Sequence, residues 1–222
     1  MSTKFSRGEL PMAYVMVETA GRIKPRRDGR HPADKYFLTW TAFSAIYASL
    51  AHRQGIRTEL VRADDGSVVT HPNGGVRIPE VVPVSEQSQL ALALADFDES
   101  LKDALIRHPG TAFFLQRTPF WQGKKIAQDA AGQRLNGVLH VTHTTSADYP
   151  VWSPIDATTF ASYMEAPTPE GRDFLTGQIV DLLYTVRQNM MQISTAFDDA
   201  NDIAVFTHAL PLLEMIVGAF LG

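Results

Sequence analysis

The sequence predicts a mainly α-helical domain with a loop and short-β insertion between its second and third main helices. Three observations predict it. Four segments repeat apolar residues at steps of three and four. Between these segments that rhythm gives way, to Pro, Gly, Asn and Asp clusters over 56–84 and to an irregular stretch over 110–155. The composition, 45% hydrophobic and 20% charged over 222 residues, is that of a globular chain able to bury one core.

The first predicted helix covers about 34–53, where Tyr36, Trp40, Phe43, Tyr47 and Leu50 line one face behind Pro32. The second covers 85–107, with Ser85 as N-cap, a stripe of Leu90, Leu94, Phe97, Leu101 and Leu105, and a stop at Pro109-Gly110. Two motif-bearing helices then fill 170–221. The third runs from about Pro169 to Ile193 on Ile179, Leu182, Leu183, Val186, Met190 and Ile193. The fourth follows the polar turn Asp198-Asp199-Ala200-Asn201-Asp202, with Ile203, Phe206, Leu210, Leu213, Val217 and Phe220 as its stripe. Pro211 inside that stripe predicts a kink.

Residues 56–84 hold Asp64-Asp65-Gly66-Ser67 and Pro72-Asn73-Gly74-Gly75 between short Val/Ile runs, the pattern of hairpin-like loops. Residues 110–155 read as an irregular insertion, with Val138–Thr142 a short strand at most. Residues 1–31 read as a mobile N-terminal arm. No internal repeat breaks the chain, so a single domain spanning 1–222 is expected.

The absence of cysteine excludes disulfides, thiolate metal sites and a cysteine nucleophile. A formal net charge of −4 provides no global attraction for nucleic acid, so any such contact needs a local patch. The N-terminal apolar stretch is interrupted by Glu9, Pro11 and Glu18, unlike a secretory leader. No transmembrane stretch is expected, and the cytoplasm is the default location. No cofactor is expected.

The third helix carries the chemistry. Tyr184 and Met191 are apolar yet project away from its main stripe, which calls for a second burial partner, either another helix or a second protomer. Asn189 and Gln192 are surface neighbours at a spacing of three. Arg187 and Gln192 lie about 140° apart around the helix, so a site using both needs a long reach or a partner helix.

The run Leu183-Tyr184-Thr185-Val186-Arg187-Gln188-Asn189-Met190-Met191-Gln192 resembles the LYxVRNNLFH segment of HEPN domains, whose signature is Arg, four to six residues, then His. The run from Phe37 to Tyr47 is similar to a recurrent FLxWxAFNALY helix of that family, and the Asp198–Asp202 turn with Leu210-Pro211-Leu212-Leu213-Glu214 extends the likeness. The resemblance covers 34–53 and 175–221. It implies a HEPN-like helical bundle that pairs as a homodimer, with a metal-independent ribonuclease site in the dimer cleft. It also implies a role in RNA processing, or as a toxin or defence protein with an antitoxin-like partner.

On that resemblance Arg187, Asn189 and Gln192 are the candidate catalytic residues, and Tyr184 and Met191 the candidate dimer contacts. Gln192 stands where the family has His. Glutamine forms hydrogen bonds but exchanges no proton near neutral pH, and acid–base assistance is worth about 10²- to 10⁴-fold. Two readings stay open: an RNA-binding or RNA-cleaving protein, and a catalytically degenerate module for dimerisation or partner binding.

Arg22, Lys24, Arg26 and Arg27 form a basic run that suits an RNA-contacting arm or a solvated loop. Lys124 and Lys125 beside Trp121 admit single-stranded RNA, although a half-buried tryptophan is the plainer reading. His140 and His143 would face opposite ways on a strand, so no metal site is expected. Arg187 could instead be a structural arginine paired with Asp181 or Glu214.

Overall fold

A computed structural model describes residues 3–25, 31–73, 76–115, 155–192 and 200–221, with the side chains of Val76, Asn189, Gln192 and 200–202 outside the described set. The protein is mainly α. Eight helices occur among the described residues: α1 (Pro11–Arg22), α2 (His31–Arg53), α3 (Glu86–Ala95), α4 (Glu99–Arg107), α5 (Pro109–Leu115), α6 (Ala157–Glu165), α7 (Pro169–Gln192) and α8 (Ala200–Phe220). Four short strands lie between α2 and α3: β1 (Thr58–Leu60), β2 (Thr70–Asn73), β3 (Val76–Pro79) and β4 (Val81–Pro83).

The stripe read from the first predicted helix is the wall of the core. Tyr36, Trp40, Phe43, Tyr47 and Leu50 are all buried on α2 and face α8, α3 and α7. Each large apolar side chain so buried stabilises the fold by about 1.5–3 kcal/mol before the entropy of ordering it. On α8 the buried set is Val205, Phe206, Ala209, Leu210, Leu212, Leu213, Ile216, Val217 and Phe220. Among the described residues α8 alone is long and apolar enough to cross a membrane, and it is packed against α2, α4 and α5. It runs through Pro211 as one helix, although Pro211 offers no amide to the carbonyl of Thr207.

The second predicted helix is two helices. α3 ends at Ala95 and α4 starts at Glu99, because Asp98 takes an extended backbone and its carboxylate accepts from the Leu101 amide at 2.9 Å. Asp96 in the break accepts from the Thr3 amide at 2.7 Å, and Phe97 is buried against Phe220. The periodic stripe survives the break, since Leu101 and Leu105 still reach the core.

Pro109-Gly110 ends α4 as expected but also begins α5, where proline suits the first helical position. A Cβ at Gly110 would stand 2.5 Å from the His208 carbonyl, so α5 reaches α8 only with glycine there.

Residues 3–25 correct the expectation of a mobile arm. Phe5 is buried and its amide donates to the Phe220 carbonyl at 2.8 Å, fixing the start of the chain to the end of α8. Buried Ala13 and Ala20 belong to α1, which packs on α2. The Arg53 guanidinium lies over the Phe5 ring, 4.0 Å from its centroid, and pairs with Glu9.

The hairpin-like segment forms two antiparallel pairs, β1 with β4 and β2 with β3, and Gly66 supplies a positive φ of 81° in the intervening turn. Glu59 on β1 ties this arm to α3 by accepting from the Ser85 amide at 3.2 Å and the Ser88 hydroxyl at 2.5 Å. Those serine hydrogen bonds hold its carboxyl below the usual range.

Candidate functional site

Tyr184, Arg187 and Gln188 stand at i, i+3 and i+4 on α7 and share one face. Opposite them is Glu86, the first residue of α3 after the Ser85 cap, where a carboxylate is favoured by the unsatisfied amides of the helix start. The clamp from Glu59 to Ser85 and Ser88 fixes the position of that helix start.

Arg187 Nη1 donates to Glu86 Oε2 at 3.2 Å, with the two side chains 23% and 32% exposed. Tyr184 Oη reaches the same oxygen at 3.5 Å, and Tyr47 on α2 donates to Glu86 Oε1. Ser44 Oγ lies 2.8 Å from the Tyr47 hydroxyl, and Gln188 Nε2 donates to Tyr184 Oη. Tyr36 reaches under the group and donates to the Leu183 carbonyl at 2.6 Å. Burial pushes the Tyr36 phenol well up, against the opposing pull of Arg187. Burial also raises the Tyr47 phenol, and its bond to Glu86 raises it further. Both phenols therefore stay protonated near neutral pH, and Tyr47 acts as a fixed donor to the carboxylate.

The structural alternative for Arg187 thus has a different partner from those proposed. It is Glu86, from a helix distant in sequence, rather than Asp181 or Glu214 on α7 and α8. Both of those carboxyls are raised by loss of hydration, with Lys35 opposing the shift at Glu214. Arg187 Nε and Nη2 take no partner among the described residues. Among the described residues the cluster therefore combines an oriented carboxylate with a guanidinium edge that has no hydrogen-bond partner.

The remaining candidates fall in several places. Tyr184 is half-buried, tilted against Trp40 at 6.1 Å between ring centroids, and α3 of the same chain supplies one cover for its side of α7. Met191 is 57% exposed. It lines, with Phe37, Leu38, Ala33, Asp34 and Met190, an open groove of about 420 Å³ at the junction of α2 and α7. Arg22 ends α1 and is exposed, as is Lys24 just beyond it. Asn189 and Gln192 belong to the α7 backbone, and their side chains lie outside the described residues. Arg26, Arg27, Trp121, Lys124, Lys125, His140, His143, Asp198 and Asp199 also lie outside them.

Sequence reasoning missed Glu86, Gln188 and the polar use of Tyr47. A first-turn glutamate is ordinary helix chemistry and Tyr47 fits the apolar stripe, so only their convergence singles them out. Among the described residues no three His, Asp or Glu side chains gather as a metal site. In comparison with known proteins, no family model, no curated protein and no solved structure matches this chain.

Proposed function

We propose that this chain is a HEPN-like RNA-binding protein in which Arg187 contacts a backbone phosphate at a cleft formed by two copies. The observation that carries this reading is the partly exposed Arg187 guanidinium, held through one nitrogen by Glu86 and with Nε and Nη2 unpartnered among the described residues. A planar guanidinium so fixed offers two parallel donors to a phosphate with little ordering cost. The exposed pair Phe37 and Met191 supports the homodimer, since apolar surface at the end of α7 gains by burial against its symmetry mate.

Fluorescence anisotropy of a labelled single-stranded RNA tests the reading. Arg187→Ala is expected to weaken binding by about 10- to 100-fold, the worth of one charged hydrogen-bonding contact. Equal affinity for wild type and Arg187→Ala would remove it.

A second reading, a degenerate module that dimerises or binds a protein partner without cutting RNA, is favoured by a specific observation. Glu86 already neutralises part of the Arg187 charge, and Gln192 brings no titratable group. Its signature would be an inert wild type that gains RNA cleavage on Gln192→His.

A further inference from the structure

We propose that the groove between α3 and α7 is a docking site for an amphipathic helix of a partner protein. Two apolar side chains of that helix seat on the groove floor, and one lysine or arginine pairs with Asp181. This docking does not depend on RNA binding at Arg187.

The groove follows from how α3 is held. Glu59 ties the start of α3 through Ser85 and Ser88, and the helix rests mainly on α2. α7 packs mainly on α4 and α6, so its flank beside α3 is only partly covered. Leu90, Ala91 and Leu94 line one wall at helical spacing, and Val180, Asp181 and Tyr184 line the other. This hollow measures about 190 Å³. A second, of about 200 Å³, shares Ala91 and Leu94 and continues past Ala95 to Lys102 and Asp173. Leu94 is common to both and lies over Gly177. The α7 wall from Asp173 to Tyr184 is roughly 16 Å long, three turns, which matches a partner helix of about ten residues.

Charge selects the occupant. Among the described residues, the other charged groups bordering the groove are already paired: Lys102 with Asp173 at 2.6 Å, and Arg187 with Glu86 at 3.2 Å. The Asp181 carboxylate has no hydrogen-bond or ion-pair partner among them. Gln87, on the opposite wall, is neutral. Asp181 is exposed, so a partner reaches it, yet its surroundings dehydrate its carboxyl enough to raise it. A cation brought to that carboxylate offsets the cost of its dehydration. An anionic ligand would leave it unpaired and repelled, which disfavours nucleic acid here.

Charge alone does not fill the groove. Leu90 and Val180 are buried in its floor and gain nothing from a bare inorganic cation. The matching ligand carries apolar surface and a positive charge together. Hollows on either side of Leu94 suit apolar side chains three or four apart, the spacing that one face of a helix presents.

The test is fluorescence anisotropy with labelled helical peptides of roughly 12 residues, titrated with the full chain. Each peptide has two leucines four apart and one arginine, placed in turn at every other position. At least one register is expected to bind with a Kd on the order of 10 μM. In that register, citrulline in place of arginine keeps the shape, removes the charge and should weaken binding about tenfold. Asp181→Asn should weaken the arginine peptide equally, and both changes together should cost little more than either alone. Ala91→Phe fills the groove from an exposed position and should abolish binding.

If Asp181→Asn does not fold in a urea melt, the citrulline peptide on wild type decides the role of charge. Binding by no register below about 1 mM overturns the proposal. So does equal affinity for the arginine and citrulline peptides, or binding that survives in folded Ala91→Phe. Wild-type self-association that Ala91→Phe abolishes would make the occupant a second copy and overturn it as well.

Discussion

Two arginines on α7, Arg172 and Arg187, stand 15 residues apart, about 22 Å along the helix and only roughly 60° around it. Each meets a carboxylate and a tyrosine. Arg172 spends both edges of its guanidinium: Nη1 pairs with Glu99 at 3.1 Å, while Nε donates to Tyr163 Oη at 3.2 Å and lies 3.7 Å from Asp103. Tyr163 in turn donates to Asp103, so α4, α6 and α7 are stitched into one unit. Arg187 uses one nitrogen, and its Nε and Nη2 have no hydrogen-bond partner among the described residues. The difference shows what separates a structural arginine from a candidate site. Both carry a partner, and what distinguishes Arg187 is its remaining donors.

The largest expected effect is on the foundation of the Arg187 cluster. Phe43 packs edge-on against Tyr47 at 5.3 Å and against Trp40 at 5.6 Å. Phe43→Ala should cost about 3–5 kcal/mol in urea unfolding. Amide exchange should speed up around Tyr47 and Glu86 before it does around Arg172. A loss below about 1 kcal/mol would show that the cluster does not depend on this core.

Arg172→Ala sharpens the comparison. It should lower the urea midpoint only slightly, since Glu99 and Asp103 are solvent-exposed and regain water. It should also speed amide exchange in α6 while leaving RNA affinity within about twofold, because Arg172 is already engaged on α4 and α6 through Nη1 and Nε. Arg187→Ala is expected to show the reverse balance. Should both variants lose RNA affinity equally, the distinction drawn from the open fork would fail.

The smallest effect concerns Asp181, on α7 between the two arginines. Loss of hydration raises its carboxyl. Its contribution to stability is therefore present below the unfolded-state value and lost as pH rises through the raised folded-state value. Ionised Asp181 works against the fold near neutral pH. Asp181→Asn should gain stability at about pH 7, by no more than about 0.5 kcal/mol given its exposure, and the gain should vanish below about pH 4. Lower stability at neutral pH in urea melts of this variant would contradict the sign.

The helical class was legible because it rests on local periodicity. Tyr36, Trp40, Phe43, Tyr47 and Leu50 recur at helical spacing, and all five are buried. The same holds for Ile179, Leu182, Leu183, Val186 and Met190 on α7. Local chemistry also marked both ends of the second predicted helix, at Ser85 and at Pro109-Gly110. It misread the break at Asp96-Phe97-Asp98, where an aspartate cap competes with a stripe that continues across it. It also missed the burial of Phe5, which depends on the far end of the chain.

For the site, the sequence by itself determined that Tyr184 and Arg187 lie off the main apolar stripe of α7, because helical geometry fixes which residues share a face. Only the tertiary structure decided that Glu86 and Tyr47 meet that face. Glu86 lies 101 residues from Arg187, and its approach depends on how the β1–β4 arm sets the start of α3. Spacing along one helix is set by covalent geometry. Convergence between helices is set by packing, and a single chain carries no local signal for it.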